Sequence, residues 1–398
     1  MQGGTCSDWS DARHATQMKR KAAQTLQKRM QRRAGALVSE ANATLAACDG
    51  PLAADQVHRL RVICKQLRAT WQLLTPALGR RWTRPRERAL RDAARILAGP
   101  REAHVLGRTV IRLTRRHGDV PLAGAQGAAV LAPVDAMEQL LDVIHERWPE
   151  RVPPVPATRV LQETFVAQSE AVEAWPEHIE GELLAAGLLR SYRRARRAGR
   201  RAMRASAVAP ALAAPAGLRQ DRSAIGALRN AAGETLAPTP APAASGTLAS
   251  GVLHTAAGEE MAATGAPAGV PGTFSEADPA GAADEAWHEC RRWAKYELYQ
   301  LALLARHARP APRQRRLERF GERLGRFHDL CDLRALAEAS VGRLAEAGAL
   351  PGIEQVLALE EAPLRRHLRR GFRSLYARPA GARRRRLERH LRRQAGSS

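Results

Sequence analysis

Aromatic side chains are scarce in this chain: they make up 4% of its 398 residues, against 44% for hydrophobic residues of all kinds. Proteins that stack nucleotide bases on aromatic rings rely on such side chains, so the composition argues against that mode of binding. The five cysteines are scattered and form no Cys-x-x-Cys pair, which is typical of buried thiols in a reducing compartment. No apolar run is as long as a membrane span, and residues 1–20 lack the apolar core of a signal peptide. The sequence therefore predicts a cytoplasmic protein with no membrane association.

Acidic residues are also in short supply, because 64 lysines and arginines stand against 40 aspartates and glutamates, for a net charge of +24. An excess of this size predicts a polyanionic partner: nucleic acid, polyphosphate or an acidic membrane surface. Most of the cations are arginines, which bind phosphate as planar forks that stay charged. A Walker-type Gly-x-x-x-x-Gly-Lys-Ser/Thr loop and a His-Glu-x-x-His metal motif are both absent. We therefore expect no cofactor, no metal site and no enzymatic activity.

Two segments each concentrate cations on one face of a predicted helix. At 100° per residue, four residues of the first segment fall within an arc of about 80°: His58, Arg61, Lys65 and Arg68. Five residues of the second fall within about 100°: His288, Arg291, Arg292, Lys295 and Tyr299. Neither stripe contains an acid, whereas solvated helix faces usually mix both signs of charge. A ligand is therefore expected to supply the counter-charge, with the two histidines as phosphate hydrogen-bond donors rather than catalysts.

Two further predicted helices carry arginines that we assign to the same phosphate-binding set. One ends near residue 204 and places four of them on a shared face: Arg193, Arg196, Arg197 and Arg200. The other covers 353–376 and sets arginines against an apolar face: Arg366, Arg369 and Arg373. The stretch 383–386 is a plain run of arginines and is expected to be accessible.

Helical periodicity extends through nearly the whole chain, and the alternation typical of strands is absent. A proline-rich break at 148–156 separates two predicted helical halves, 11–148 and 156–204 with 284–393. Residues 205–283 are rich in Ala, Pro and Gly, which predicts a disordered insertion without a core. About forty residues after each stripe comes a related string, 97–105 and 324–332, so the halves are expected to share one design.

These motifs resemble those of the CHAD family, the conserved histidine α-helical domain. The first family stretch, Val-His-x-x-Arg-Val-x-x-Arg/Lys-x-Leu-Arg, is matched at 57–68. The second, His-x-x-Arg-Lys-x-x-Lys-x-Leu-x-Tyr, is matched at 288–299, with arginine in place of lysine at 292. The resemblance implies an all-α fold of two pseudo-symmetric four-helix-bundle halves with a basic groove between them. It also implies binding of inorganic polyphosphate and association with polyphosphate granules.

The chain departs from the family pattern at Glu297, which stands where the family has leucine, in the middle of the predicted apolar arc. A buried, unpaired carboxylate would be costly, so Glu297 is expected either to pair or to lie on a partly wet face. His328 replaces asparagine beside Asp329, and Glu102 replaces aspartate. Asp329 and Glu102 are each expected to hold arginine side chains in place.

The leading hypothesis is non-enzymatic binding of inorganic polyphosphate through these arginine- and lysine-lined faces. One alternative is a nucleic-acid-associated basic protein, with weak binding through the arginines at 383–386. The other is a metal-assisted polyphosphatase or phosphotransferase that uses His58 and His288. The sequence does not give the oligomeric state.

Overall fold

A computed structural model of the chain describes residues 7–48, 50–97, 99–121, 130–147, 155–212, 279–305 and 310–396. These residues form helices joined by short connections, and none of them lies in a strand, so the predicted all-α class is confirmed. The helices are α1 (Ser7–Ala46), α2 (Ala54–Leu78), α3 (Arg80–Ile96), α4 (Gly99–His117), α5 (Pro133–Arg147), α6 (Val155–Glu173), α7 (Gly181–Leu212), α8 (Pro279–Leu304), α9 (Pro312–Ala339), α10 (Val341–Glu346), α11 (Leu350–Tyr376) and α12 (Ala380–Gly396).

The buried apolar side chains form two clusters. One contains α1, α2, α3, α6, the start of α7 and inward-facing leucines of α12, with Trp71 among its largest buried members. The other contains α4, α5, most of α7 and α8, α9 and α11, with Trp287 among its largest buried members. Helices α4 and α5 thus pack with the later helices, while α6 packs against α1. The two clusters therefore interleave the segments that the sequence analysis assigned to separate halves, and the pseudo-symmetry of those halves stays a prediction.

Helices α2, α7 and α8 pack against one another and place both stripes near the middle of the molecule. Gly187 of α7 lies so close to α2 that a Cβ atom there would come within 2.0 Å of the carbonyl oxygen of Leu73. Glycine is therefore required for α2 and α7 to approach this closely. The end of α7 and the start of α8 extend into the predicted insertion, whose remaining residues, 213–278, lie outside the described part of the chain.

Arginine side chains satisfy carbonyl groups at the C-terminal ends of neighbouring helices. The guanidinium of Arg33 donates to two carbonyls in the last turn of α8, at 2.7 and 2.9 Å. Arg61 donates to the carbonyl of Leu97, just after α3, at 2.7 Å, and Arg196 donates to that of Tyr376 at 2.9 Å. Carbonyls in a last helical turn lack intrahelical partners and carry partial negative charge, so cations are favoured there. Part of the arginine content therefore stabilises helix packing.

Glu297 was expected either to pair or to lie on a partly wet face. It is fully buried and paired, so the first of these outcomes holds. Its carboxylate accepts hydrogen bonds from Arg313 Nε at 2.8 Å, from the Tyr376 hydroxyl at 3.1 Å and from Arg383 Nη2 at 3.3 Å. The expectation of an accessible arginine run at 383–386 is thus wrong for Arg383, because that side chain is buried beside Glu297 and its burial lowers its pKa to about 10. Only 384–386 are exposed.

Candidate functional site

The cationic stripe of α2 is fixed by the opposite, apolar face of the helix. Leu60 and Leu67 are fully buried on that face, which turns the stripe toward α3 and α8. Arg61 and Lys65 are buried, at 6% and 7% exposure, while His58 and Arg68 are half-buried. Burial of two cations on one helix face is costly unless they find partners or a ligand.

The stripe of α8 is buried most deeply at Arg291, whereas His288, Arg292, Lys295 and Tyr299 are half-buried. The Lys295 side chain lies across Gly321 of α9, where an added Cβ would come within 3.1 Å of Lys295 Cε. Burial and the nearby Arg291 lower the pKa of Lys295 to about 8, although two glutamates of α9 oppose the shift. Gly321 therefore makes room for the Lys295 side chain, and the surroundings of that side chain disfavour its charged form.

The two stripes converge on His328 of α9. Its Nδ1 atom lies 3.3 Å from Nδ1 of His288, and the two rings meet edge-on with their centroids 4.3 Å apart. Burial lowers the pKa of His328 well below its usual range, and the positive charges of Arg291, His288 and Lys65 lower it further. Because Lys65 comes from α2 and Arg291 from α8, this histidine marks where the predicted stripes meet. We call Lys65, His288, Arg291 and His328 the His328 cluster.

His328 is not among the ligand contacts predicted from the sequence. A signal was present, because His328 follows His288 by forty residues and belongs to the second copy of the repeated string. Arg61 donates a hydrogen bond to the carbonyl of Leu97, which belongs to the first copy and follows Arg61 by a similar 36 residues. Each stripe therefore packs against the string that follows it in the sequence.

Two acids lie near the cluster, and they act on different groups. Asp329 is buried, and its charge acts on Arg112 of α4; its role in holding an arginine of the groove stays a prediction. Asp332 Oδ1 lies 3.5 Å from Nδ1 of His328. The side chain of Glu102 lies outside the described residues. Within the described part of the chain, no group of three or more His, Cys, Asp or Glu residues is arranged to hold a metal ion.

Two aromatic rings border the stripes where α2, α7 and α8 meet. Trp293 and Tyr296 contact edge-on, with centroids 5.3 Å apart. The guanidinium of Arg68 lies 5.8 Å from the Tyr296 ring centroid, and that of Arg194 lies 4.4 Å from Trp293. Arginines over ring faces are held by cation–π attraction. Arg194 was not among the predicted site residues, although it follows Arg190 by one helical turn and faces α8.

The arginines predicted on α7 and α11 lie on a different surface. Arg196 is tied to the end of α11, and Arg369 donates from α11 to the carbonyl of Ser206 in α7 at 3.3 Å. The others are exposed: Arg193, Arg197, Arg200, Arg366 and Arg373. Arg200 lies about 120° around α7 from Arg194, which faces α8. The predicted set therefore divides into the two central stripes and an outer α7–α11 surface.

One family model matches the chain, that of the CHAD domain, over residues 36–338. The match begins within α1 and ends within α9, so it includes both stripes and the His328 cluster, and it spans roughly three-quarters of the chain. No curated protein matches the chain, and no solved structure does. The described residues contain no helix that is long and apolar enough to cross a membrane. The chain belongs to the CHAD domain family.

Proposed function

We propose that this protein binds inorganic polyphosphate at the two central stripes, with the His328 cluster as the innermost contact. The CHAD domain is associated with polyphosphate-related proteins, which supports this ligand class. The observation that carries the proposal is that His328 lies 3.3 Å from His288 of the α8 stripe and is acted on by the charges of Lys65 from α2 and Arg291 from α8. Association with polyphosphate granules follows as part of the same proposal.

The electrostatics of the cluster favour an anion that is narrow and highly charged. Several cations held close together at low solvent exposure repel one another, and an arriving anion relieves that repulsion more strongly than it would in bulk water. Polyphosphate has negatively charged oxygens along its length and no bases to stack. Guanidinium forks and ammonium groups bind such oxygens through charge-assisted hydrogen bonds.

We propose that binding involves no cleavage of the polyphosphate chain. His328 is held in its neutral form by burial and by the positive charges of Arg291 and Lys65. The same neighbours oppose the approach of a divalent cation, which phosphoryl-transfer sites use to neutralise developing charge. In this proposal His58 and His288 donate hydrogen bonds to phosphate oxygens, and they do not act as nucleophiles or metal ligands.

The proposal is tested by incubating the full chain with long-chain polyphosphate, with and without magnesium, and resolving the products on a gel. We expect the polyphosphate to migrate more slowly with protein and to return to its original length once the protein is removed. Shortened chains in the presence of magnesium would show instead that the alternative, a metal-assisted polyphosphatase, is correct. No shift at low ionic strength would contradict binding itself.

A further inference from the structure

The outer surface formed by α7 and α11 carries many arginines and is separate from the central stripes. Residues 190–204 of α7 contain no acid, and neither do residues 362–378, which cover the end of α11 and the two residues after it. The exposed arginines of these two segments include Arg193, Arg197, Arg200, Arg204, Arg366, Arg370 and Arg373. Arg201 of α7 pairs with Glu289 of α8, but neither segment has an acid of its own, so the surface is strongly positive.

The two helices are held side by side and antiparallel. Arg196 of α7 contacts the carbonyl of Tyr376, and farther along α7 the carbonyl of Ser206 contacts Arg369, which lies earlier in α11. Gly199 of α7 packs against the Phe372 ring, where a Cβ would come within 2.2 Å. These contacts fix the spacing of the helices, so the exposed arginines form two parallel rows.

In this register the rows face each other. Arg200 lies opposite Arg373, and Arg204 lies opposite Arg370, because the antiparallel pairing brings 196 beside 376 and 206 beside 369. The two rows therefore run side by side along one face of the protein and present their guanidinium groups to a long polyanion.

We propose that the α7–α11 surface binds the phosphate backbones of double-stranded nucleic acid without reading its sequence. Both rows are exposed, so a wide duplex can reach them and its phosphates can contact arginines of either row. The contacts are electrostatic, and base stacking on aromatic rings plays no part in them. A duplex is too wide to reach the buried His328 cluster, so the two ligands occupy different surfaces of the protein.

The test compares binding of a fluorescein-labelled 20-base-pair DNA duplex to three forms of the full chain, by anisotropy over a range of salt concentrations. The surface variant carries Arg200→Gln, Arg204→Gln, Arg370→Gln and Arg373→Gln. The matched control loses the same charge from exposed arginines of α4 and α9: Arg108→Gln, Arg115→Gln, Arg316→Gln and Arg319→Gln. All eight side chains are exposed, and circular dichroism checks that every form keeps its helical content.

We expect the surface variant to bind the duplex at least tenfold more weakly than the control does. The slope of log affinity against log salt should fall by up to about 3.6 in the surface variant, since each phosphate contact contributes about 0.9. Its polyphosphate affinity should match that of the control. Equal losses of duplex affinity in both variants would overturn the proposal, because total charge would then be the cause.

Two other results would also overturn the proposal. A loss of polyphosphate affinity in the surface variant as large as its loss of duplex affinity would make this surface an extension of the polyphosphate site. Loss of binding to phosphatidylserine-containing vesicles, with duplex binding unchanged, would assign the surface to anionic lipid. Neither result depends on whether the His328 cluster binds polyphosphate, because that is measured separately with a Lys65→Gln variant.

Discussion

Lys295 carries a charge that its surroundings oppose. Burial and the adjacent Arg291 lower its pKa to about 8, whereas Glu318 and Glu322 of α9 only partly compensate. In the folded protein the lysine therefore releases its proton at a lower pH than in the unfolded chain, where its pKa is about 10.4. A bound polyanion would reverse this shift, because negative charge nearby favours the ammonium form.

We therefore predict that polyphosphate affinity falls as pH rises above about 8. Binding takes up a proton at Lys295 in this range, so the affinity should decrease by at most about tenfold per pH unit. Lys295→Arg keeps its charge and should flatten this part of the profile. The measurement is the dissociation constant between pH 7 and pH 10 for both proteins at constant ionic strength, and parallel profiles would show that Lys295 is not close to the ligand.

Folding stability should change in the opposite direction over the same range. The unfolded chain binds the Lys295 proton more tightly than the folded protein does, so the contribution of this group to stability rises between about pH 8 and pH 10.4. Ligand-free protein therefore gains stability from Lys295 while polyphosphate affinity declines.

The buried network around Glu297 joins four helices. Its carboxylate in α8 accepts hydrogen bonds from Arg313 of α9, Tyr376 of α11 and Arg383 of α12. Arg313 also donates to the carbonyl of Leu375 at 3.2 Å. A single carboxylate thus pairs with two arginines and helps hold the last helix against the rest of the fold.

We predict that Glu297→Ala lowers the free energy of unfolding by about 3–5 kcal/mol, because it leaves the buried Arg383 and the half-buried Arg313 without their counter-charge. The check is urea denaturation followed by circular dichroism. Glu163→Gln is the matched control, since it removes an exposed partner of Arg159 in α6 and should cost less than about 1 kcal/mol. Comparable losses in the two variants would contradict the structural role of Glu297.

At the scale of helices, the sequence predicts where the helices lie better than it predicts which groups on other helices their side chains contact. The apolar positions of α2 repeat at helical spacing, so its buried face and its cationic stripe could be assigned from the sequence. Arg61, Arg196 and Arg369 could not be recognised as donors to carbonyls, because their partners lie on or just after other helices. Helix periodicity shows which face a side chain occupies, and only the packing shows which carbonyl it reaches.

Across the whole molecule, the net charge of +24 is divided among three environments. Some arginines donate hydrogen bonds to backbone carbonyls or to buried acids, as Arg33 and Arg313 do. A second group forms the central stripes around His328, and a third lies exposed on α7 and α11. The all-helical class, the family and the stripes followed from the sequence. The interleaving of α4 to α6 between two cores did not, because helix order alone does not specify which helices pack together.

The central claim is that the two stripes form one polyphosphate site, and a charge-matched pair of double variants tests it most directly. The site variant carries Lys65→Gln and Arg292→Gln, and it keeps Arg61 because that side chain also supports the end of α3. The control carries Arg108→Gln and Arg115→Gln on the exposed side of α4. Both are titrated with labelled long-chain polyphosphate at several salt concentrations.

We predict that the site variant binds at least tenfold more weakly than the control while keeping its helical content. The slope of log affinity against log salt should fall by about 1.4, by analogy with the value of about 0.7 per phosphate contact for single-stranded nucleic acid. The control should retain an affinity and slope close to those of the unmodified protein. Equal affinities and equal slopes in the two variants would contradict the claim that Lys65 of α2 and Arg292 of α8 bind the same polyphosphate chain.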